Sequence, residues 1–358
     1  MTEENLNERI RVLVVDDSEL MRRQVTRILE DDPQIEVIGG AKDGEDALKL
    51  VDELRPDVVT LDVEMPKMNG ITALKHIMVK HTVPSIMISA LTQEGSKLCF
   101  DALRFGAVDV VSKPSRLETE NLDAQRADII AKVKRAAIIR TGRLRCVRMP
   151  EDEQARPVNH DKPAEKDTRF IGIGAGTGGY YSLLRIVPAI GNSFKDTLVV
   201  VLNVAPRFIA PFVAYLQAHS TIPVKNLLGI AVPKKGTCYL CAGDDGLVLE
   251  TAVDGNLRLR MEGPRSLSEG PGPIDKFFES MVDVVGNRAV GIVMTGEGGD
   301  GAEGMAKIRG VGGTTIVQDI NNCVDPSMPL ATLERGPVGN MIPDYRLADF
   351  IVNSNVPS

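Results

Sequence analysis

The chain has 358 residues, enough for two ordinary domains, and with 43% apolar and 25% charged residues it has the composition of a globular protein. A net charge of -7 without a basic block argues against nucleic-acid binding, and no apolar run approaches the roughly 20 residues of a membrane span. The polar, acidic N-terminus predicts no signal peptide, and five scattered cysteines are typical of reduced thiols, so we expect a cytoplasmic protein without membrane insertion.

Residues 11–139 alternate short β-branched runs with amphipathic segments, the pattern of a parallel sheet covered by helices on both faces. Prolines mark the boundaries of the predicted strands, as expected for a residue that lacks a backbone donor. The sequence therefore predicts a doubly wound (βα)5 domain over residues 10–139. The predicted strands are Arg11–Val15, Ile35–Gly39, Val58–Asp62, Ser85–Ser89 and Val108–Val111, and the last helix is Leu122–Ala137.

The apolar periodicity fades after residue 139, and the polar, proline-containing residues 140–168 indicate a linker. A second alternation over residues 169–353 predicts another α/β domain, with a parallel sheet and a small β insertion. The predicted strands are Phe170–Gly174, Leu198–Asn203, Cys238–Ala242, Leu247–Glu250, Leu257–Met261, Ala289–Thr295 and Thr314–Gln318. The predicted helices are Gly179–Val187, Arg207–Ala218, Pro273–Val285, Gly301–Arg309 and Pro329–Arg335.

Polar side chains gather at the carboxyl ends of the first domain's strands, the edge where open parallel sheets bind ligands. Asp16 and Asp17 follow the first strand, and Asp62 ends the third. Three converging carboxylates would repel one another unless a hard cation such as Mg²⁺ joined them. Ser89 and Lys113, at the ends of the fourth and fifth strands, supply a hydroxyl and an ammonium for phosphoryl oxygens. Singly these residues are explained as caps or surface charges; together they predict a phosphoryl-accepting site with Asp62 as nucleophile.

These positions fall in motifs that closely resemble the receiver domain of two-component response regulators: Val-Asp-Asp-Ser ending at Ser18, Leu-Asp-Val-Glu-Met-Pro ending at Pro66, Ser-Ala-Leu-Thr ending at Thr92, and Ser-Lys-Pro ending at Pro114. The resemblance implies that a histidine kinase phosphorylates Asp62, that Asp16, Asp17 and Asp62 hold Mg²⁺, that Ser89 is the switch hydroxyl, and that Lys113 contacts the phosphoryl group. One position departs from the family, because Val110 stands where an aromatic residue is common.

A glycine-rich turn, Gly174 to Gly179, joins the predicted strand Phe170–Gly174 to the next helix. The turn satisfies the G-x-G-x-x-G pattern, so a nucleotide-binding effector is one hypothesis. The acid expected at the end of the following strand to bind ribose hydroxyls is missing, because that strand ends in Asn203.

The rest of the domain resembles the chemotaxis protein-glutamate methylesterase, a family that joins a receiver to an esterase domain through a linker. The resemblance rests on Asn-Val-Ala-Pro-Arg-Phe from Asn203, Ala-Gly-Asp from Ala242, Asp-Lys-Phe-Phe from Asp275 and Gly-Ile-Val-Met-Thr-Gly-Glu-Gly-Gly-Asp-Gly from Gly291. It implies a chemotaxis-type histidine kinase and chemoreceptors as partners.

In that family a serine in the glycine-rich turn is the nucleophile, a histidine after the next strand is the base, and an aspartate orients the histidine. Here Gly176 stands at the serine position and Asn203 at the histidine position, so only Asp300 of the triad is present. The resemblance implies that residues building the turns and the oxyanion hole are retained: Thr177, Gly178, Gly179 and Gly298. The segment before Asp275 is also altered, to Gly-Pro-Gly-Pro ending at Pro273.

Glycine has no atom to attack an ester and an asparagine amide has no useful basicity, so the covalent route through a serine is closed. We therefore expect a phosphorylated response regulator whose effector acts by binding, or which serves as a phosphate sink. The alternative is an active methylesterase or glutamine deamidase with another nucleophile, although the neighbouring Thr177 is expected to point away.

Smaller features have plain structural explanations. With its histidine gone, Asp300 is expected to cap the helix that follows it. Cys238 and Cys241 are expected to be buried thiols rather than metal ligands, because residues three apart in a strand face opposite sides. His219 is expected on a solvated helix end.

Overall fold

The computed structural model describes residues 9–89, 93–114, 122–139, 147, 163–164, 168–263 and 271–353. The chain divides into two compact units, residues 1–147 and 148–358, which are treated separately below. Most of the predicted linker, residues 140–168, lies outside the described residues, so its boundaries stay a prediction. The altered segment before Asp275 begins at residue 270, which also lies outside the described residues.

Unit 1 contains five parallel strands within its described residues, in the order β2-β1-β3-β4-β5, with the first strand paired to both the second and the third. The strands are β1 Ile10–Val15, β2 Ile35–Ala41, β3 Val58–Asp62, β4 Ser85–Ser89 and β5 Asp109–Ser112. The helices are α1 Glu19–Glu30, α2 Gly44–Leu54, α3 Gly70–Lys80, α4 Gln93–Arg104 and α5 Leu122–Ile138. The predicted doubly wound (βα)5 fold is confirmed.

Local sequence explains these elements. Every residue of β3 and β4 is buried, which is why both strands are mostly apolar and lack the alternation of a strand with one exposed face. Helix α1 buries Val25, Ile28 and Leu29, one stripe at helical spacing, and the Ser18 side chain caps it by accepting from the backbone N–H of Met21. Strand ends and helix starts therefore meet at one edge of the sheet.

Unit 2 is built on a parallel sheet flanked by helices. The strands are β6 Phe170–Ala175, β7 Thr197–Leu202, β8 Val224–Asn226, β9 Ile230–Ala231, β10 Thr237–Ala242, β11 Leu247–Thr251, β12 Leu257–Met261, β13 Ala289–Val293, β14 Thr314–Gln318 and β15 Asn340–Ile342. The helices are α6 Gly179–Ile186, α7 Ile209–Ala218, α8 Pro273–Val285, α9 Ala302–Gly310, α10 Ser327–Glu334 and α11 Asp344–Asn353. The predicted α/β class with a small β insertion is confirmed, and β8, β9, β15 and α11 are additions to the prediction.

The seven-stranded sheet runs β15-β14-β13-β6-β7-β10-β8, and β11, β12 and β9 form the antiparallel insertion. From β6 the chain winds outward through β7 and β10, and from β13 it winds the other way through β14 and β15. The winding thus reverses between β6 and β13, and the loops after these strands diverge there. Such a reversal is where open parallel sheets form ligand crevices.

The glycines of β6 have a packing role. A Cβ at Gly174 would come within 2.3 Å of the Ile274 side chain, and one at Gly172 within 2.7 Å of Met281 Sδ. Helix α8 therefore lies so close to β6 that only glycine fits beneath it. One glycine of the pattern that suggested a nucleotide site, Gly174, is explained by this contact between strand and helix.

Candidate functional site

The predicted phosphoryl site of unit 1 is assembled at the carboxyl edge of its sheet. Asp16, Asp17 and Asp62 each offer a carboxylate oxygen, and these oxygens all lie within 4.8 Å of one another. Lys113 Nζ donates to Asp62 Oδ2 over 2.7 Å and lies 3.0 Å from Asp16 Oδ2. The structure thus brings four predicted site residues together, and their roles in phosphoryl transfer stay predictions.

Electrostatics at this edge follow from burial. Asp62 is only 2% exposed, and this burial raises the pKa of Asp62 to about 6, although the hydrogen bond from Lys113 opposes the rise. Burial alone would lower the pKa of Lys113, but its hydrogen bonds to Asp62 and Asp16 outweigh that effect and raise it. One ammonium among three carboxylates leaves an excess of negative charge, and oxygen donors of this kind fit a hard divalent cation.

Ser89, the last residue of β4, completes the predicted set. It is buried, and its carbonyl accepts a hydrogen bond from the backbone N–H of Lys113 over 2.9 Å. Ser89 is paired across the sheet with Ser112, the residue before Lys113. Ser89 and Lys113 therefore lie at the ends of two strands that are neighbours in the sheet.

The second site lies where the winding of unit 2 reverses. Gly176 directly follows β6, Asn203 directly follows β7, and Asp300 lies in the loop between β13 and α9. The side-chain amide of Asn203 donates from Nδ2 to Asp300 Oδ2 over 3.1 Å. Asn203 therefore keeps the hydrogen bond that a triad histidine would make to its aspartate, without the basic nitrogen.

The turn around Gly176 has an intact backbone. The backbone N–H of Gly176 donates to the Thr295 carbonyl over 2.9 Å. This hydrogen bond joins the loop after β6 to the loop after β13. A Cβ at Gly176 would come within 3.2 Å of the Gly296 Cα and 3.7 Å of Met328 Sδ. A Cβ at this position would need the neighbouring backbone to move by a few tenths of an ångström. The missing nucleophile is thus a property of residue 176 in a turn whose backbone hydrogen bonds are in place.

Asp300 corrects one prediction, because it does not cap its own helix. Helix α9 begins after Gly301, which has φ 92° and makes no side-chain cap. Asp300 instead accepts from the backbone N–H groups of Ile274 over 3.2 Å and Asp275 over 3.0 Å, in the first turn of α8. The carboxylate reaches α8 because Gly272 has no side chain: a Cβ there would lie 2.1 Å from Asp300 Oδ1.

Asp275 makes the reciprocal interaction with the first turn of α9. It is 5% exposed, and its Oδ1 accepts from the backbone N–H of Gly304 in α9 over 2.8 Å. Burial is the main reason that the pKa of Asp275 rises to about 6, and the nearby charge of Asp300 adds to the rise. The two aspartates therefore exchange helix caps between α8 and α9. The sequence carries one signal for this role of Asp275, an acid in the first turn of a helix that begins with proline, and that signal alone did not predict it.

The retained turn residues form the corner between β6 and α6. Thr177 is buried, and its carbonyl accepts from Thr295 Oγ1 over 2.8 Å. Gly178 is the N-cap of α6, with φ 81°, and Gly179 is the first residue of the helix. Gly298 lies in the exposed part of the loop after β13, with φ 74°. Their use as oxyanion donors stays a prediction.

Other sequence candidates do not join either site. Cys238 and Cys241 are free and buried, as expected. In the described ranges, Asp16, Asp17 and Asp62 form the one group of three potential metal ligands. His219 is half-buried rather than fully solvated, with Nδ1 2.8 Å from the Tyr215 carbonyl. Across those same ranges the structure has no helix long and apolar enough to cross a bilayer.

Known proteins resemble the whole chain. The sequence model of the CheB methylesterase family matches residues 171–351, and that of the response regulator receiver domain matches residues 12–124. A protein-glutamate methylesterase/protein-glutamine glutaminase of Pyrococcus abyssi is 39% identical over 97% of this chain and 94% of its own. One of Pyrococcus horikoshii is 38% identical over 98% of this chain and 94% of its own.

Two solved structures from Thermotoga maritima are also similar. The CheB methylesterase catalytic domain is 27% identical, with a TM-score of 0.49, and covers 52% of this chain and 98% of its own. The response regulator domain of CheB is 43% identical, with a TM-score of 0.34, and covers 37% of this chain and 99% of its own.

Proposed function

Because the chain belongs to the CheB methylesterase family and carries a response regulator receiver domain, we propose that it is a response regulator phosphorylated on Asp62 whose esterase-type domain binds its target without hydrolysing it. The observation that carries the second part is the corner after β6. Gly176 has no side chain that could act as a nucleophile, and the side-chain amide of Asn203, which is not basic, donates the hydrogen bond to Asp300.

In the receiver, a carboxylate oxygen of Asp62 attacks the phosphorus of a phosphohistidine on the kinase, and the bond from phosphorus to the histidine nitrogen breaks. Lys113 already contacts this carboxylate and stays close enough to bind a phosphoryl oxygen. Asp16, Asp17 and Asp62 would hold Mg²⁺, which would neutralise charge on the incoming group. We propose a chemotaxis-type histidine kinase as the phosphate donor.

In the effector, the chemistry of the triad is missing at two positions. In a serine protease of unrelated fold, removing the nucleophile or the base costs about a million-fold in turnover, and removing both costs little more. The oxyanion hole and binding alone leave about a thousand-fold over water. We therefore propose that the domain binds a target such as a chemoreceptor, or that the protein drains phosphate from its kinase.

The names of the curated relatives favour the alternative, an active protein-glutamate methylesterase or glutamine deamidase, and give no support to a loss of activity. In that case a residue other than Gly176 attacks the ester. Thr177 is the adjacent hydroxyl, but it is buried and its backbone is fixed by Thr295. The argument against the alternative is that Gly176 and Asn203 stand in this chain where the family has its serine and histidine.

Methanol release separates the two candidates. The full chain, phosphorylated on Asp62, is incubated with methylated chemoreceptor, and methanol is measured against a buffer blank and against an active family member. We expect no release above the blank and co-sedimentation of the protein with the receptor. Release that disappears in Thr177→Ala would establish the alternative with Thr177 as nucleophile. Release that persists in Thr177→Ala would also reject an effector that only binds.

A further inference from the structure

Arg22, on helix α1 of the receiver, lies against the loop that carries two of the three carboxylates of the phosphoryl site. One nitrogen of its guanidinium, Nη1, donates to the Asp16 carbonyl over 2.7 Å and to the Asp17 carbonyl over 3.2 Å. The backbone N–H of Arg22 donates to the Ser18 carbonyl over 2.9 Å. The three residues that join β1 to α1 therefore all accept hydrogen bonds from one arginine.

These hydrogen bonds restrict the directions of the two acidic side chains. Because the peptide group is planar, a carbonyl that is held in place fixes the rotation about the Cα–C bond of its own residue, and with it the direction in which the side chain leaves the backbone. Asp16 is held further by its N–H, which donates to the Ala41 carbonyl over 3.1 Å, and by its Oδ1, which accepts from the Ser18 N–H over 2.8 Å. Asp17 is exposed and has fewer such contacts among the described residues, so its direction depends more strongly on Arg22.

Arg22 acts on the backbone of the two acids and not on the oxygens that would bind a cation. Those oxygens lie on the other side of the loop, within 4.8 Å of each other and of an Asp62 oxygen. Lys113 Nζ, 3.0 Å from Asp16 Oδ2, is shared with Asp62, to which it donates over 2.7 Å. The carboxylates thus have charge left for a divalent cation, and Arg22 bears on how they are directed towards it.

On the premise of the proposed function, that Asp62 is phosphorylated with the help of Mg²⁺, we propose that Arg22 is a positioning residue: its two hydrogen bonds hold Asp16 and Asp17 in the directions that the cation requires. Arg22 has two opposite effects on a cation. Its positive charge repels the cation, whereas its hydrogen bonds order the ligands before the cation binds. In this receiver the second effect is the larger. Removal of Arg22 therefore weakens Mg²⁺ binding, although removal of a positive charge alone would strengthen it.

Calorimetric titration of the full chain with Mg²⁺ tests this sign. Arg22→Met removes the charge and the donors but keeps an aliphatic side chain. The matched control is Arg23→Met, because Arg23 is the next residue, is exposed and pairs with Glu19 over 2.6 Å. We expect the Kd for Mg²⁺ to rise about 10-fold or more in Arg22→Met, the usual effect of losing a residue that orients metal ligands, and to stay near wild type in Arg23→Met. The Mg²⁺ concentration for half-maximal labelling by acetyl phosphate should rise by the same factor, while the rate at saturating Mg²⁺ is kept.

The possible results separate the proposal from its premise. If Arg22→Met binds Mg²⁺ as tightly as wild type, or more tightly, the proposal is wrong while the function of Asp62 stands. A lower Tm of Arg22→Met with an unchanged Kd would give Arg22 a purely structural role and would equally overturn it. Should Arg22→Met not fold, Arg22→Gln is judged by the same criterion, because its shorter, neutral side chain cannot reach both carbonyls. If wild type binds no Mg²⁺ and takes no phosphate from acetyl phosphate, the proposed function of the receiver fails, and this proposal fails with it.

Discussion

Replacing Asp300 with alanine should destabilise unit 2 rather than only alter its target binding. The carboxylate accepts three hydrogen bonds, from the Asn203 amide and from the backbone N–H groups of Ile274 and Asp275. Losing a helix cap costs about 1 kcal/mol, and each buried donor left without a partner costs about 1–3 kcal/mol. Because Asp300 is half-buried and water reaches part of the loop, we expect a total loss of about 2–4 kcal/mol. For a domain of this size that corresponds to a Tm lower by roughly 5–15 °C.

Calorimetry of the full chain measures this loss as a shift of the transition that belongs to unit 2. Asp300→Asn should show about half the effect, because its amide oxygen can still accept the two bonds that Oδ2 accepts from Asn203 and Ile274, while its NH2 group faces the Asp275 N–H. Asp349→Ala is the matched control, since Asp349 is an exposed aspartate of α11, and it should change stability by no more than about 0.5 kcal/mol. An Asp300→Ala protein as stable as this control would refute the capping role derived from the geometry.

Three further predictions concern the two sites. A small phosphodonor with Mg²⁺ should label wild type on Asp62, and Asp62→Ala should abolish the label; a label that persists would contradict the assignment. Because burial raises the pKa of Asp275 to about 6 from an ordinary 3.8, its charged form disfavours folding, so this contribution is favourable below about pH 4 and is lost as the pH rises through 6. Asp275→Asn should therefore gain stability relative to wild type across that window, as urea titrations at several pH values would detect, and a pH-independent difference would exclude this effect. The double variant Gly176→Ser, Asn203→His should release methanol from methylated receptor at least a hundredfold faster than wild type, because the corner and Asp300 are in place; an equally inactive variant would show that more than two residues were lost.

Sequence patterns located the strands that are buried on both faces. Val58–Asp62 and Ser85–Ser89 were predicted to the residue, because apolar runs and flanking prolines mark such strands. The strands β8, β9 and β15 were missed. They have two or three residues, of which only Val224 is buried, and carry too little apolar periodicity to stand out. Their pairing depends on longer strands and helices already being in place.

The site residues that lie at the ends of strands could be predicted from the sequence. Asp16, Asp62 and Lys113 converge because carboxyl ends of parallel strands share an edge, a relation that topology alone provides. The partners of Asp300 were not predictable, since its contact with α8 depends on the path of a loop and on a glycine at position 272. Glycine patterns are ambiguous for a similar reason: Gly174 could serve a phosphate or a neighbouring helix, and only its distance to Ile274 decides.

The exchange of caps between Asp275 and Asp300 also bears on how unit 2 opens. The N-terminus of α8 is capped by Asp300, which lies just before α9, and the N-terminus of α9 is capped by Asp275 of α8. Fraying of either helix therefore leaves backbone N–H groups of both helices without their acceptors. Amide protons near the two N-termini should therefore exchange with solvent through one common opening event. The corner that carries Gly176, Asn203 and Asp300 is then bordered by two helix N-termini that open together, so we expect a ligand that stabilises one of them to stabilise both.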